Sequence, residues 1–344
     1  TQQTMRRRSR PAPVSQKEKI KTFLDERLDQ GSDGAYEASQ LLRGQVQRNV
    51  KQGNFKESLE IAKEGAMALF QRGFVASGCE MSMQLIEALE LMKEDAIELE
   101  DSLAYIGSVD DSFETAMNTN ADKDGLNLRI RVLKRAVQWS SKRQEVGTYV
   151  LGHPQLHARL GRAYFALANF ELANEKDGSP HIYSSESGIK HLVLGEQPKL
   201  LASQLIERKL FANSSASVPT MRRERATASL RAVFQFLAVE NLRDANIFYR
   251  ELSCELDSTE LANLPPLALC PVLLKTCEYN APDMFTELRH RLQDGDIGNG
   301  SGSKPGSNNT LIRLIAQKYF NINPPPNMLT SLLSMFSSGN DDDE

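Results

Sequence analysis

The chain has little of what secreted, membrane-spanning and disulfide-stabilised proteins carry. Its 344 residues contain four cysteines, Cys79, Cys254, Cys270 and Cys277, and no two of them form a CxxC pair. So few cysteines in so long a chain do not indicate a disulfide framework, and reduced thiols are expected. No apolar run approaches the roughly 20 residues of a transmembrane helix, and the first residues lack the apolar segment of a signal peptide. The sequence therefore predicts a cytosolic protein without direct membrane insertion.

Motifs of the common catalytic and metal sites are also missing. HExxH, GxSxG and EF-hand patterns do not occur, and the glycine-rich stretch 295–309 contains SKP where a phosphate-binding loop needs GK followed by Ser or Thr. His153 and His157 lie four residues apart, but without a third ligand the pattern favours capping or surface roles over a metal site. The carboxylates of 94–101 are typical of a solvated face. We therefore expect no enzyme activity, catalytic residue, cofactor or metal.

Charge is balanced over the whole chain and uneven at its ends. The 41 Lys and Arg against 45 Asp and Glu give a net charge of −4, which provides no general attraction to nucleic acid. Residues 1–14 are basic and 339–344 are acidic, so we expect two disordered tails. One domain is expected between them, over 15–338, with a flexible loop at 295–309.

The most informative pattern is a helical hairpin between Ala35 and Phe74. Its apolar residues recur at helical spacing on both sides of a corner; they are Ala38, Leu42, Val46 and Val50, then Phe55, Leu59, Ala62, Ala66 and Phe70. At the corner, Gly53 is typical of a left-handed helix C-cap, and Asn54 with Glu57 matches a capping box. A hairpin cannot bury both of its faces alone, so the pattern predicts neighbours of the same kind.

Most of the remaining chain also has helical patterning. The other predicted helices cover 16–28, 76–93, 96–105, 110–117, 125–142, a segment beginning at Pro154, 184–194, 197–208, 220–240, 242–254, 266–278, 282–292, 310–319 and 326–336. A turn is expected at 31–34, with Ser32 or Asp33 as the next N-cap. Short β excursions fit only near 255–265 and 211–219. The expected fold is all-α, an α-solenoid of antiparallel helical pairs related to TPR or HEAT repeats.

Positive charge gathers on the first two predicted helices. The basic residues lie near one aromatic side chain, Tyr36, and they are Lys19, Lys21, Arg43, Arg48 and Lys51. The pattern has two interpretations, a solvated face or a basic docking surface in which the tyrosine acts as an anchor. Nucleic acid is a third candidate for such a surface, but the acidic total and the lack of interleaved aromatics argue against it.

The last helices carry more apolar surface than the end of a solenoid normally exposes. The side chains at issue include Tyr319, Phe320, Met328, Leu332, Met335 and Phe336. Either the last helix folds back as a cap or a partner covers this surface, and the sequence leaves both open. Methionine is common at adaptable binding surfaces, which favours the partner.

Three segments in order resemble the Golgi-to-ER-traffic protein four family, the scaffold of the guided-entry pathway for tail-anchored membrane proteins. They are the hairpin run at 36–70, GHPQLHARLG at 152–161 and the ending LIAQKYFNINPPPNMLTSLLSMF at 314–336. The resemblance implies a right-handed α-solenoid that acts as a cytosolic adaptor. Its N-terminal half, about 15–150, would dock on a homodimeric targeting ATPase. Its C-terminal half, about 151–338, would hold a ubiquitin-like-domain protein that recruits a co-chaperone.

The resemblance also assigns roles to particular residues. Those similar in position to the family's ATPase-binding residues are Lys19, Tyr36, Arg43, Arg48 and Lys51, and Glu80 is similar to its regulatory acid. Lys51 stands where the family has arginine, which removes bidentate geometry, and Glu80 stands where it has aspartate. The apolar C-terminal residues are assigned to the ubiquitin-like partner, although the family's β-hairpin has little room in 254–265.

One alternative function remains open from the sequence. A helical-repeat scaffold subunit of another multiprotein assembly, such as a proteasome-lid-like complex, would share the solenoid pattern. Such subunits normally end in a winged-helix strand pattern, which this sequence lacks.

Overall fold

The chain is described by a computed structural model over residues 16–92, 96–117, 122–143, 150–174, 182–207, 218–256, 264–294 and 307–322. These ranges form fourteen α-helices and no strand, which confirms the predicted all-α, helical-repeat class. The chain divides into two compact units, 1–121 and 122–344. The expected single domain over 15–338 stays a prediction. The expected tails, the helix at 326–336 and most of the two β excursions lie outside the described residues.

The first unit is built around its third helix. Its helices are α1 (Gln16–Leu28), α2 (Ser32–Lys51), α3 (Phe55–Gln71), α4 (Val75–Leu91) and α5 (Leu99–Met117). Helix α3 packs against the other four. Its Phe70 is buried and meets Phe113 of α5 edge to face, with ring centroids 5.4 Å apart. Burying each large apolar side chain stabilises the unit by about 1.5–3 kcal/mol.

Polar contacts at the surface attach α1 to its neighbours. The Arg72 guanidinium, just after α3, lies 2.8 Å from Asp29 Oδ1 and 3.2 Å from Asp25 Oδ1. Arg27 pairs with Glu37 of α2 at 2.9 Å. These groups are all well exposed, so each pair contributes at most about 1 kcal/mol. The apolar contacts of α1 therefore provide most of its attachment.

The second unit contains nine described helices. They are α6 (Lys123–Lys142), α7 (Pro154–Asn174), α8 (Ile182–Leu194), α9 (Pro198–Glu207), α10 (Val218–Ala238), α11 (Leu242–Glu255), α12 (Pro265–Glu278), α13 (Pro282–Asp294) and α14 (Ser307–Phe320). Helix α10 packs against α8, α9, α11, α12 and α14. Its Phe234 and Phe236 are buried in a core that also contains Phe165, Phe248 and Phe285. An FQFL run buried on several sides explains why α10 takes the central position.

The same corner geometry recurs between successive helices. At the α2–α3 corner Asn54 N–H donates to Asn49 O at 2.8 Å and Gly53 N–H donates to Val50 O at 3.0 Å, which is a Schellman motif. Equivalent pairs close the corners after α3, α8, α10 and α12. The residue with positive φ at these five corners is Gly53, Gly73, Glu196, Glu240 and Asn280 in turn. The predicted glycine C-cap at Gly53 is therefore confirmed.

Two predicted caps differ from the structure. Gly31, with φ of 80°, occupies the N-cap of α2, and Ser32 is already the first helical residue, so the predicted Ser32 or Asp33 cap is wrong. Asn54 is the N-cap of α3, but its side chain makes no cap hydrogen bond. It donates instead to Gln52 Oε1 at 3.4 Å, so the expected capping box is not formed.

Two predicted helix boundaries are also wrong. The separate helices expected at 96–105 and 110–117 are one continuous α5, in which Gly107 is buried. Helix α14 begins at Ser307, inside the stretch 295–309 that was expected to be a loop. Residues 295–306 of that stretch lie outside the described ranges.

Candidate protein-docking surfaces

Helix α2 has one buried side and one open side. Ala38, Leu42 and Val46 are buried where α2 packs against α3 and α4. Tyr36 points away from this core and 62% of it is exposed. A helix turns about 100° per residue, which places Arg43 and Lys51 on the same open side as Tyr36. We call this side, comprising Tyr36, Leu41, Arg43, Gly44, Arg48 and Lys51, the α2 face.

Arg43 and Glu80, which were predicted to have separate roles, are paired with each other. The Arg43 Nη1 donates to Glu80 Oε1 of α4 at 3.0 Å, and both side chains are about two-fifths exposed. An exposed pair of this kind adds at most about 1 kcal/mol to the free energy of unfolding. Its main effect is therefore to orient the guanidinium and to reduce the positive charge that Arg43 presents.

Arg48 and Lys51 supply the remaining positive charge of the α2 face. Both are exposed, and Arg48 Nε donates to the main-chain oxygen of Gly44 at 3.1 Å. Both lie in the last turn of α2, where the helix dipole favours cations. Lys19 belongs to α1, and its side chain lies outside the part of the structure described. Its contribution stays a prediction.

Leu41 is a member of the α2 face that the sequence did not single out. It is 48% exposed and follows Tyr36 by a little more than one turn. The Leu41-Leu42 doublet could have indicated this exposure, because two adjacent residues of a helix cannot both face the same core. The α2 face thus has an apolar part with an aromatic anchor and a cationic rim, which resembles the anatomy of protein interfaces.

The C-terminal candidates divide between described and undescribed residues. Phe320 stacks on Phe285 of α13 with centroids 4.5 Å apart, and Tyr319 lies beside it. Both are partly buried against the core of the second unit, and burial raises the pKa of Tyr319. Met328, Leu332, Met335 and Phe336 lie outside the described residues. The role of all six as a partner surface stays a prediction.

An exposed apolar patch on α12 and α13 was not predicted. It comprises Val272, Tyr279 and Met284, of which Tyr279 is 73% exposed. The Lys275 ammonium sits over the Tyr279 ring, 5.6 Å from its centroid. Met284 is next in sequence to Phe285, which touches Phe320. Met284 therefore lies close to the α14 end that was expected to bind a partner.

His153, His157 and His191 have capping or packing contacts. His153 accepts a hydrogen bond from Gln155 N–H at 3.2 Å, the capping role favoured by the sequence. His157 is buried, in contrast to the expected capping or surface role, and its Nδ1 lies 2.8 Å from Nδ1 of His191. His157 Nε2 lies 2.8 Å from the carbonyl oxygen of Leu151. A carbonyl only accepts, so His157 carries its proton on Nε2 and His191 donates from Nδ1.

Burial keeps this histidine pair neutral. Removal from water lowers the pKa of His157 to about 4, and it lowers the pKa of His191 well below its usual value. The charges of Lys190 and Lys134 act in the same direction on His191. Tyr164 stacks on the His191 ring, with centroids 5.6 Å apart. The cluster is a packed polar core between α7 and α8.

Within the described ranges, no group of three His, Cys, Asp or Glu side chains could hold a metal. A groove of about 570 Å³ borders the corners after α8 and α10. Of its charged residues, Glu240 is paired with Lys318 at 3.1 Å and Arg243 with Asp244 at 2.9 Å. Such pairing is typical of structural ions rather than of an acid–base couple. No described helix has the length and apolarity to cross a bilayer.

Comparison with known proteins identifies the family. The family model described as Golgi to ER traffic protein 4 matches residues 52–338. The Golgi to ER traffic protein 4 of Aspergillus fumigatus is 26% identical over 295 residues, which cover 78% of this chain and 76% of that protein. Protein GET4 of Arabidopsis thaliana is 24% identical over 325 residues, covering 87% of this chain and 90% of its own length. The Homo sapiens homologue is 28% identical over 215 residues, 62% of this chain and 54% of that protein.

The family match begins one residue after Lys51. It therefore includes Glu80 and the described helices from α3 to α14, but not the α2 face. The importance of that face rests on its own exposure and charge. Because the match spans well over half of the residues, this chain belongs to the Golgi to ER traffic protein 4 family.

Proposed function

We propose that the chain is a cytosolic adaptor in the post-translational targeting of tail-anchored membrane proteins to the endoplasmic reticulum. Its first unit binds a homodimeric targeting ATPase through the α2 face. Its second unit holds a ubiquitin-like-domain protein, which recruits a co-chaperone carrying the client. Binding both partners to one chain raises the effective concentration of client near the ATPase. No chemical step on the adaptor is needed for this.

The α2 face is the observation that carries the proposal for the first unit. It combines an exposed aromatic anchor, Tyr36, with an exposed Leu41 and the cations of Arg48 and Lys51. Of the two exposed acids of α2, Asp33 and Glu37, Glu37 is paired with Arg27 at 2.9 Å. The face therefore favours a partner surface that has an apolar centre and carboxylates around it.

The second unit offers support of a different kind. Tyr279, Met284 and Val272 expose apolar area near α14, and apolar contacts are not weakened by salt as exposed ion pairs are. We expect binding of the ubiquitin-like partner to be nearly independent of salt. Binding of the ATPase through the α2 face should instead weaken as ionic strength rises.

Charge reversal on the α2 face tests the proposal. The double variant Arg48→Glu/Lys51→Glu should bind the purified ATPase about tenfold or more weakly, because it replaces attraction with repulsion at the rim. Its affinity for the ubiquitin-like partner should not change. Arg131→Glu, a single charge reversal on the exposed side of α6, is the control for Arg48→Glu and Lys51→Glu made one at a time, and it should bind both partners like the wild type. Unchanged ATPase affinity in the double variant would show that the docking surface lies elsewhere.

A further inference from the structure

Eight glycines lie within the described helices, and two of them, Gly107 and Gly125, are buried. The other six differ in the space around the position that a Cβ would take. At five of them an added Cβ would meet another atom at close range: 2.0 Å at Gly34, 2.8 Å at Gly65, 2.4 Å at Gly78, 2.7 Å at Gly161 and 3.0 Å at Gly188. The fold of the free chain explains these five, since helices or side chains pass directly over them. Gly44 is the sixth, and nothing lies within 4 Å of its Cβ position.

Gly44 therefore has no packing reason to be glycine in the free chain. It lies in the middle of α2, and its φ is not in the left-handed region. A glycine in a helix interior destabilises the helix relative to alanine, because it loses more backbone entropy on folding. Gly44 therefore lowers the stability of the free chain without improving its packing. A role in binding a partner would explain why glycine is present at this position.

The neighbours of Gly44 indicate what approaches it. Tyr36 and Leu41 are exposed on the N-terminal side, and the cations of Arg48 and Lys51 lie on the C-terminal side. The missing side chain leaves the outer side of the main chain open, since nothing lies within 4 Å of the Cβ position. One turn further along, Arg48 Nε donates to the Gly44 carbonyl oxygen at 3.1 Å. Gly44 thus forms a shallow depression between the apolar and the cationic parts of the α2 face.

We propose that Gly44 is the point at which an acidic helix of the targeting ATPase crosses α2 most closely. The separation of two packed helices depends on the side chains at their crossing point, and glycine permits the shortest distance. Tyr36 and Leu41 then contact the partner on one side of the crossing. Arg48 leaves the Gly44 carbonyl and pairs with a carboxylate of the partner. The proposal rests on the function proposed above and adds the geometry of that interface.

Substitution of Gly44 gives two readouts with opposite signs. Gly44→Ala should raise the midpoint of thermal unfolding of the full chain by about 1–3 °C, from higher helix propensity in open space. The same variant should bind the purified ATPase several-fold more weakly, and Gly44→Leu at least about tenfold more weakly, because both separate the two helices. Ala104→Leu adds a leucine to an exposed position of α5, and this control should leave affinity unchanged.

The outcomes separate this inference from the proposed function. If the wild type does not bind the ATPase, both fail. If the wild type binds and Arg48→Glu/Lys51→Glu does not, while Gly44→Leu binds within twofold of the wild type, then only the crossing at Gly44 is wrong. Weak binding by both glycine variants with an unfolding midpoint at or above that of the wild type supports the inference, because misfolding is then excluded.

Discussion

Arg43 of α2 and Glu80 of α4 are joined by a 3.0 Å contact between Nη1 and Oε1. The contact links a residue of the α2 face to a second helix that lies beside it. It also means that a change at Glu80 alters the charge of the α2 face without any contact between Glu80 and a partner. A regulatory effect of this acid is therefore expected to act partly through Arg43.

Glu80→Gln should release the Arg43 guanidinium. The free energy of unfolding should fall by less than about 1 kcal/mol, because the pair is well exposed. The added net positive charge should make ATPase binding tighter and more sensitive to salt. Titrations at low and high salt measure both effects. Glu287→Gln removes a similar exposed pair with Arg291 on α13 and should leave ATPase binding unchanged. Weaker binding by Glu80→Gln would mean that Glu80 itself contacts the partner.

Glu196 stores strain at the α8–α9 corner. Its φ of 54° lies in the left-handed region, where a residue with a Cβ is less stable than glycine. Glu196→Gly should raise the free energy of unfolding by about 0.5–1 kcal/mol, measured by denaturant titration. Glu240→Gly at the equivalent corner should give a smaller gain, because Glu240 also binds Lys318 of α14 at 3.1 Å. A loss of stability in Glu196→Gly would contradict this explanation.

The buried histidine pair should make the chain less stable in mild acid. Above pH 6.5 the histidines are neutral in both states and the full stability is present. As the pH falls below 6.5, the unfolded chain binds protons that the folded His157 and His191 do not, because burial has lowered their pKa. The free energy of unfolding should decrease by up to about 1.4 kcal/mol per pH unit per histidine. For His157 this continues down to its folded pKa of about 4.

Denaturant titrations at pH 7, 6 and 5 measure this slope. The double variant His157→Phe/His191→Phe keeps ring packing against Tyr164 and removes both titrating groups. Its stability at pH 7 should be lower, since the Leu151 carbonyl loses its donor. Its dependence on pH over this range should be clearly smaller. An equal slope in the wild type and the variant would assign the acid sensitivity to other groups.

The four thiols should differ strongly in reactivity. None of them forms a disulfide, and Cys254 is exposed whereas Cys79, Cys270 and Cys277 are buried. Burial raises the pKa of Cys277 to about 12 and also raises that of Cys270, so neither forms the reactive thiolate. A thiol reagent at neutral pH should label one cysteine rapidly and the other three only on unfolding. Cys254→Ser should remove the fast phase, and a persistent fast phase in that variant would reveal local opening.

The sequence predicted the helices well because their signals are local. Apolar spacing located α2 and α3, and glycine correctly marked the corner at Gly53. The corners at Glu196 and Glu240 carry no such signal, since their left-handed residues are held by hydrogen bonds such as Gln197 N–H to Leu192 O at 3.0 Å. The continuity of α5 through Gly107 likewise depends on burial in the folded unit, which the local sequence pattern does not show.

The candidate surfaces were predicted only in part. Exposure of Tyr36 follows from its position opposite the apolar row of α2. The pairing of Arg43 with Glu80 joins residues 37 positions apart, and contact between His157 and His191 joins residues 34 positions apart. Only the arrangement of helices brings these groups together, so residue spacing could not reveal them.

The two ion pairs of Arg72, with Asp25 and with Asp29, make the attachment of α1 depend on ionic strength. Ions in solution screen these exposed charges, so much of what remains is the burial of Ile20, Leu24 and Leu28. Helix α1 has 13 residues and these three apolar anchors. We therefore expect α1 to detach before the core around Phe70 unfolds. Its amides should exchange hydrogen faster than those of α3, and more so in salt. When α1 detaches, its basic residues would leave the docking surface together. The extent of that surface would then depend on ionic strength.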